Sequence, residues 1–141
     1  MKYLTQEEKD HLLKELCARL PYEVKCEVIK WLIDGEMAFI RNGSGALELT
    51  VDNIKALVTN DMYEIKPYLF PLSSMTEEQK NDCPINETNL NIIKSNIGYG
   101  IIEMPWRLSF LFVDWCNKNH FDYRGLIPMG LAIDATGLNI Y

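Results

Sequence analysis

The sequence predicts a single α+β domain: a small antiparallel sheet, either a hairpin or a three-stranded meander, packed on a long C-terminal helix and an N-terminal helix. Three observations lead there. Helical apolar spacing recurs near both ends of the chain. Between them lies a strand-like stretch interrupted by Asp34-Gly35, a hairpin signal. The chain has 141 residues, 48% of them hydrophobic and 24% charged, which suits one domain spanning residues 1–141 with a core of its own.

The first helix begins at Thr5, whose hydroxyl can cap it, with Glu8 placed to complete a capping box. Leu12, Leu13, Leu16, Cys17 and Leu20 then share one face, and Glu7, Asp10, His11, Lys14 and Glu15 the other. Pro21 closes the helix. Tyr22 to Ile33 reads as a strand and Glu36 to Arg41 as its return. A two-residue turn at Asp34-Gly35 sets Trp31 opposite Ala38 and Ile29 opposite Ile40. Both hairpin faces are largely apolar, so a helix is expected on one and a loop or partner on the other. Asn42-Gly43-Ser44-Gly45 turns the chain, and Ala46 to Val51 is a candidate third strand.

Asp52 to Met62 is open between a helix and a strand with a loop. Pro67 and Pro71 make Tyr63 to Leu72 extended. Thr76 caps a short helix that Pro84 stops. Asn81 to Gly100 reads as loop, with a short strand or helix near Leu90 to Lys94. From Pro105 to Asn119, Leu108, Leu111, Phe112, Trp115 and Cys116 keep the spacing of one apolar face. A second stripe holds Trp106, Phe110 and Val113, and Asp114 with Lys118 forms an i, i+4 pair. A helix apolar on two sides is expected at the centre, against the sheet. His120 to Tyr141 wraps back in short turns.

The chain also resembles a group of small uncharacterised proteins from Bacteroidales phages, prophages and mobile elements. The resemblance rests on Leu16-Cys17-Ala18-Arg19-Leu20-Pro21-Tyr22, on Ile65 to Gln79, and on Phe121-Asp122-Tyr123-Arg124-Gly125-Leu126-Ile127. It implies a phage-like origin and a bacterial cytoplasm, and it brings no activity, cofactor or catalytic residue.

Composition narrows the function. The net charge of −6 is spread along the chain without a basic patch, so direct nucleic-acid binding is not expected. No apolar run is long enough for a membrane span, and the start of the chain lacks a signal peptide's apolar stretch. Cys17, Cys26, Cys83 and Cys116 are irregularly spaced, so neither a metal site nor disulfides are expected. Cys17 and Cys116 are placed on apolar helix faces. Gly43-Ser44-Gly45 and Gly98-Tyr99-Gly100 lack the remaining residues of a phosphate loop. No cofactor is expected.

The densest group of reactive side chains is His120, Asp122, Tyr123 and Arg124, just past a helix C-terminus, where the dipole favours a protonated His. A His–Asp pair can do acid–base work and Arg can hold an anion. In the competing reading, His120 ends the helix while Asp122 and Arg124 pin the tail by hydrogen bonds and an ion pair. Two functions follow. One is a protein-interaction module, such as a phage or mobile-element accessory factor, whose partner is a protein. The other is a small enzyme or ligand-binding protein built on His120–Arg124. The two apolar stripes further point to a homodimer through Trp106, Phe110 and Val113 or the outer hairpin face. The alternative is a monomer whose tail, Leu126 to Ile140, covers the second stripe.

Overall fold

The computed structural model describes residues 4–31, 37–39, 46–95 and 106–141. It is an α+β fold; among the described residues, five α-helices accompany a six-stranded mixed sheet. Helix α1 (Gln6–Arg19) starts as its sequence dictates: Thr5 Oγ1 accepts from the Glu8 amide, and the Glu8 carboxylate accepts from the Thr5 amide. A 3₁₀ turn over Leu20–Tyr22, with Pro21 inside it, leads into β1 (Lys25–Trp31). The Asp34-Gly35 turn lies outside the described residues. The register of β2 (Met37–Phe39) on β1 is shifted by one from the expected pairing: Trp31 faces Met37 and Ile29 faces Phe39.

The candidate third strand shrinks to β3 (Leu47–Glu48), which pairs with β1 at Lys25 and Cys26 on the same edge as β2. Thr50 and Asn53 form a second capping box, so the ambiguous stretch after it is helix α2 (Val51–Thr59). Strand β4 (Tyr63–Pro71) pairs antiparallel with β1 from Tyr63 to Pro67. Pro67, at the last of these positions, has no N–H to give to a ladder. Beyond it, β4 pairs parallel with β6 (Ile133–Asp134) and then with β5 (Phe121–Asp122). The sheet is therefore mixed rather than purely antiparallel. Thr76 caps α3 (Glu77–Asp82), and Asn86 Oδ1 accepts from the Asn89 amide at the start of α4 (Glu87–Ser95).

Two hydrophobic clusters result. The first joins Leu12 and Leu16 of α1, Leu57 of α2, the sheet residues Cys26, Val28, Ile65 and Leu69, and the tail residues Leu126, Leu131 and Ala132. The second joins Leu90 and Ile93 of α4 with Phe112 and Cys116 of α5 (Trp106–Lys118), together with Leu72, Met75, Ile85, Phe121 and Tyr123. Thus α1 and α2 cover the sheet. Within the described residues, the expected long C-terminal helix is the 13-residue α5, which shares its hydrophobic cluster with α4. Its stripe also splits: Phe112 and Cys116 are fully buried, while Leu111 is 43% exposed. The outer sheet face is not a bare apolar surface, because Glu27, Glu64 and Lys66 share it with Ile29 and Trp31, and Trp31 Nε1 donates to Glu64.

This partition gives a direct test. Phe112→Ala should destabilise by about 3–5 kcal/mol, as for a fully buried aromatic ring. Leu111→Ala should cost under about 1 kcal/mol. Urea denaturation of both variants checks this; equal losses would mean that Leu111 is buried with Phe112.

Candidate functional site

Helix α5 ends at Lys118, and the chain leaves it through His120, whose φ of 64° is left-handed. The His120 carbonyl accepts from the Phe70 amide at 2.8 Å, which seats β5 beside the end of β4. The four candidate residues therefore come off one tight exit loop, with a role fixed for each by its neighbours.

Asp122 is 2% exposed. Its carboxylate accepts three backbone amides: Gly125 at 2.9 Å and Leu126 at 3.0 Å through Oδ1, and Ile127 at 2.9 Å through Oδ2. Those donors would otherwise lie unsatisfied in a buried turn. The turn needs Gly125, whose φ is 79°. Asp122 thus folds the loop, and its contacts are neither to His120 nor to Arg124.

Arg124 reaches back to α1 and pairs through Nε with Glu15 Oε1. Glu15 and Arg19 are both fully buried, and Arg19 Nε donates to Glu15 Oε2 at 3.0 Å. Arg19 Nη2 donates to the Phe121 carbonyl at 2.6 Å. The Tyr123 ring lies within 5.3 Å of the Arg19 guanidinium carbon and 5.5 Å of that of Arg124, in cation–π range. Burial raises the Tyr123 phenol above its ordinary value. One carboxylate, two guanidiniums and one aromatic ring form a hub joining α1 to the exit loop.

His120 is half-buried, and its ring stacks on Tyr141 with centroids 3.7 Å apart. Burial, then the charges of Arg19 and Lys25, lower its pKa to about 4. The helix terminus therefore does not hold it protonated at neutral pH. Its Nδ1 is buried without a hydrogen bond, so no His–Asp dyad forms with Asp122. The segment brings the expected residues together but assigns them to loop closure, ion pairing and stacking.

Glu15 is the functional neighbour that the sequence reading placed on the solvent face. Its signal was present: Leu12, Glu15, Leu16 and Arg19 follow the i, i+3, i+4, i+7 spacing of a buried stripe, with the acid four residues before the base. Cys17, expected on the apolar face, is exposed because that face is rotated. Cys26 and Cys116 are buried, and burial pushes the Cys26 thiol up to about 12. Among the described residues, no three His, Cys, Asp or Glu side chains converge as metal ligands, and no helix is long and apolar enough to cross a membrane.

Elsewhere, a cavity of about 290 Å³ opens between α3 and α4, lined by Glu77, Lys80, Cys83, Asn86 and Leu90 among others, and by none of the four exit-loop residues. Of the expected interface residues, Phe110 is 67% exposed and Val113 is half-buried in the second cluster. The Trp106 side chain lies outside the described residues. Asp114 accepts from the Tyr22 hydroxyl, which ties α5 to the end of α1.

The fold and this site define an α+β protein organised around a buried ion-pair hub. No protein-family model, curated protein or solved structure matches the chain.

Two outcomes follow. Glu15→Ala strands two guanidiniums, one of them fully buried, and should cost about 3–5 kcal/mol. The apolar pair Glu15→Leu/Arg19→Met should recover much of that loss. Denaturation midpoints check both, and a near-wild-type Glu15→Ala would remove the hub from the fold. The energetic coupling expected of an Asp122–Arg124 ion pair should instead appear between Arg124 and Glu15 in a double-mutant cycle.

His120 sets a pH dependence. Its folded pKa lies below the unfolded value near 6.5, so between the two only the unfolded chain binds the proton. Stability should therefore fall as pH drops from about 6.5 to 4, by ~2 kcal/mol once solvent access to the half-buried ring is allowed for. His120→Asn, which tolerates the left-handed backbone, should lose this slope. An imidazole that titrates near 6.5 by NMR would contradict it.

Proposed function

We propose that this chain is a protein-interaction module, of the accessory-factor kind that phages and mobile elements carry, working in the cytoplasm of a bacterial host. The observation that carries the reading is the exposure of Phe110 and Leu111, 67% and 43%, at consecutive positions of α5. Large exposed apolar side chains on an ordered helix are where partner proteins gain desolvation energy. The resemblance to phage proteins supports the setting. The exit-loop chemistry favours the same reading, because Asp122, Arg124 and His120 are already engaged within the fold.

The first partner to test is a second copy of the chain, since a self-complementary patch hides two such surfaces at once. At concentrations low enough to dissociate a wild-type dimer, Phe110→Glu should have a stability within about 0.5 kcal/mol of the wild type, as for an exposed position. In light scattering, the wild type should have about twice the 16.3 kDa chain mass and Phe110→Glu the mass of one chain. A wild-type monomer would exclude the homodimer. If host-cell capture also retained the same proteins on both forms, the module reading of this face would fail.

A further inference from the structure

The antiparallel ladder between β1 and β4 ends at Cys26 and Pro67. One step beyond, the Lys25 amide and the Tyr68 carbonyl both bond to the phenol oxygen of Tyr141. The amide donates at 2.9 Å, and the hydroxyl donates to the carbonyl at 2.8 Å. The same ring stacks on His120 at 3.7 Å with 10° between planes, and lies 5.9 Å from Phe70 in a tilted arrangement. This is a complete recognition set for a phenol: two aromatic walls, one donor and one acceptor.

The segment that delivers the ring is lightly held. Thr136, Gly137, Leu138 and Asn139 are exposed, and Tyr141 itself is 44% exposed. Gly137 and Asn139 bend it through left-handed backbone, with φ of 76° and 53°. Its local bonds, from the Thr136 amide to Asp134 and from the Leu138 amide to Ala135, close turns at its base. Its hydrogen bonds to β1 and β4 run through the Tyr141 hydroxyl.

We propose that the fork between β1 and β4 is a binding slot for a tyrosine side chain, filled in cis by Tyr141 and offered to a partner protein's tyrosine when residues 136–141 lift away. The slot reads the hydroxyl as well as the ring, because a phenyl group would offer no oxygen to the Lys25 amide, which donates to the Tyr141 hydroxyl at 2.9 Å.

The test uses full-length Tyr141→Ala and N-acetyl-L-tyrosinamide, followed by NMR at the Lys25 amide and the His120 ring. Saturable shifts are expected in the variant, and roughly tenfold weaker binding in the wild type, where the slot is already filled. N-acetyl-L-phenylalaninamide should bind the variant at least roughly tenfold more weakly than the tyrosine analogue. No saturable shift, or equal binding of the two analogues, would overturn the slot. Should Tyr141→Ala not fold, hydrogen exchange in the wild type decides. The Lys25 amide should exchange at least roughly tenfold faster than the slowest amides of β1 and β4, through local opening of the strap. Exchange of Lys25 only with global unfolding would overturn the proposal.

Discussion

A carboxylate buried at the end of α1 constrains most of this fold. Glu15 has no exposure, and an isolated ionised group in that position would be prohibitively costly. It is compensated by Arg19 from its own helix and by Arg124 from the exit loop. Arg19 is buried in turn, and it directs Nη2 to the carbonyl of Phe121, a residue 102 positions away. Helix α1 and strand β5 therefore have little freedom to separate without stranding a charge. Such a hub adds little net stability over an apolar replacement, yet it penalises alternatives in which either partner is missing. It also stands where the two hydrophobic clusters meet. Leu12 and Leu16 flank it on α1, and Phe121 and Tyr123 on the loop.

The sequence makes the local signals readable and conceals the long-range ones. Thr5 with Glu8 and Thr76 with an acidic first turn mark helix starts that the structure keeps, because a cap depends on residues three apart. The α+β class follows from the same kind of signal. The mixed sheet does not. The parallel partners of β4 come from residues 121–122 and 133–134, two-residue strands too short to carry a periodic pattern. The one-residue register shift of β2 has another origin, since pairing depends on turn geometry as much as on apolar content. Glu15 was hidden for a different reason. A charged residue type argues for solvent on average, and here its position on the stripe outweighs its type. Leu111 shows the converse, an apolar residue at stripe spacing that remains 43% exposed.

The exit loop shows why a cluster of reactive residue types is weak evidence for chemistry. Catalysis by His and Asp needs an imidazole that exchanges a proton near the working pH and a carboxylate aimed at it. Asp122 has committed both oxygens to backbone amides. The pKa of His120 is lowered to about 4, and its ring face is covered by Tyr141. These arrangements share a cause. A chain that leaves a helix through a left-handed residue and turns twice within a buried loop exposes backbone donors to apolar surroundings. Short polar side chains are the groups that can reach them.

The tail bears on where a partner can act. Covering of the second α5 stripe by Leu126 to Ile140 would have buried Phe110, which is 67% exposed. Instead Leu126, Leu131 and Ala132 enter the cluster beneath α1, α2 and the sheet. That choice follows from Asp122: by gathering the amides of residues 125–127, it turns the chain towards α1, where Arg124 meets Glu15. The tail then runs along β4 as β6 and reaches the fork at Tyr141. The bonds that hold the exit loop thus send the tail away from Phe110. One loop geometry thereby seats Leu126, Leu131 and Ala132 in the first cluster and brings the Tyr141 hydroxyl to the end of the β1–β4 ladder.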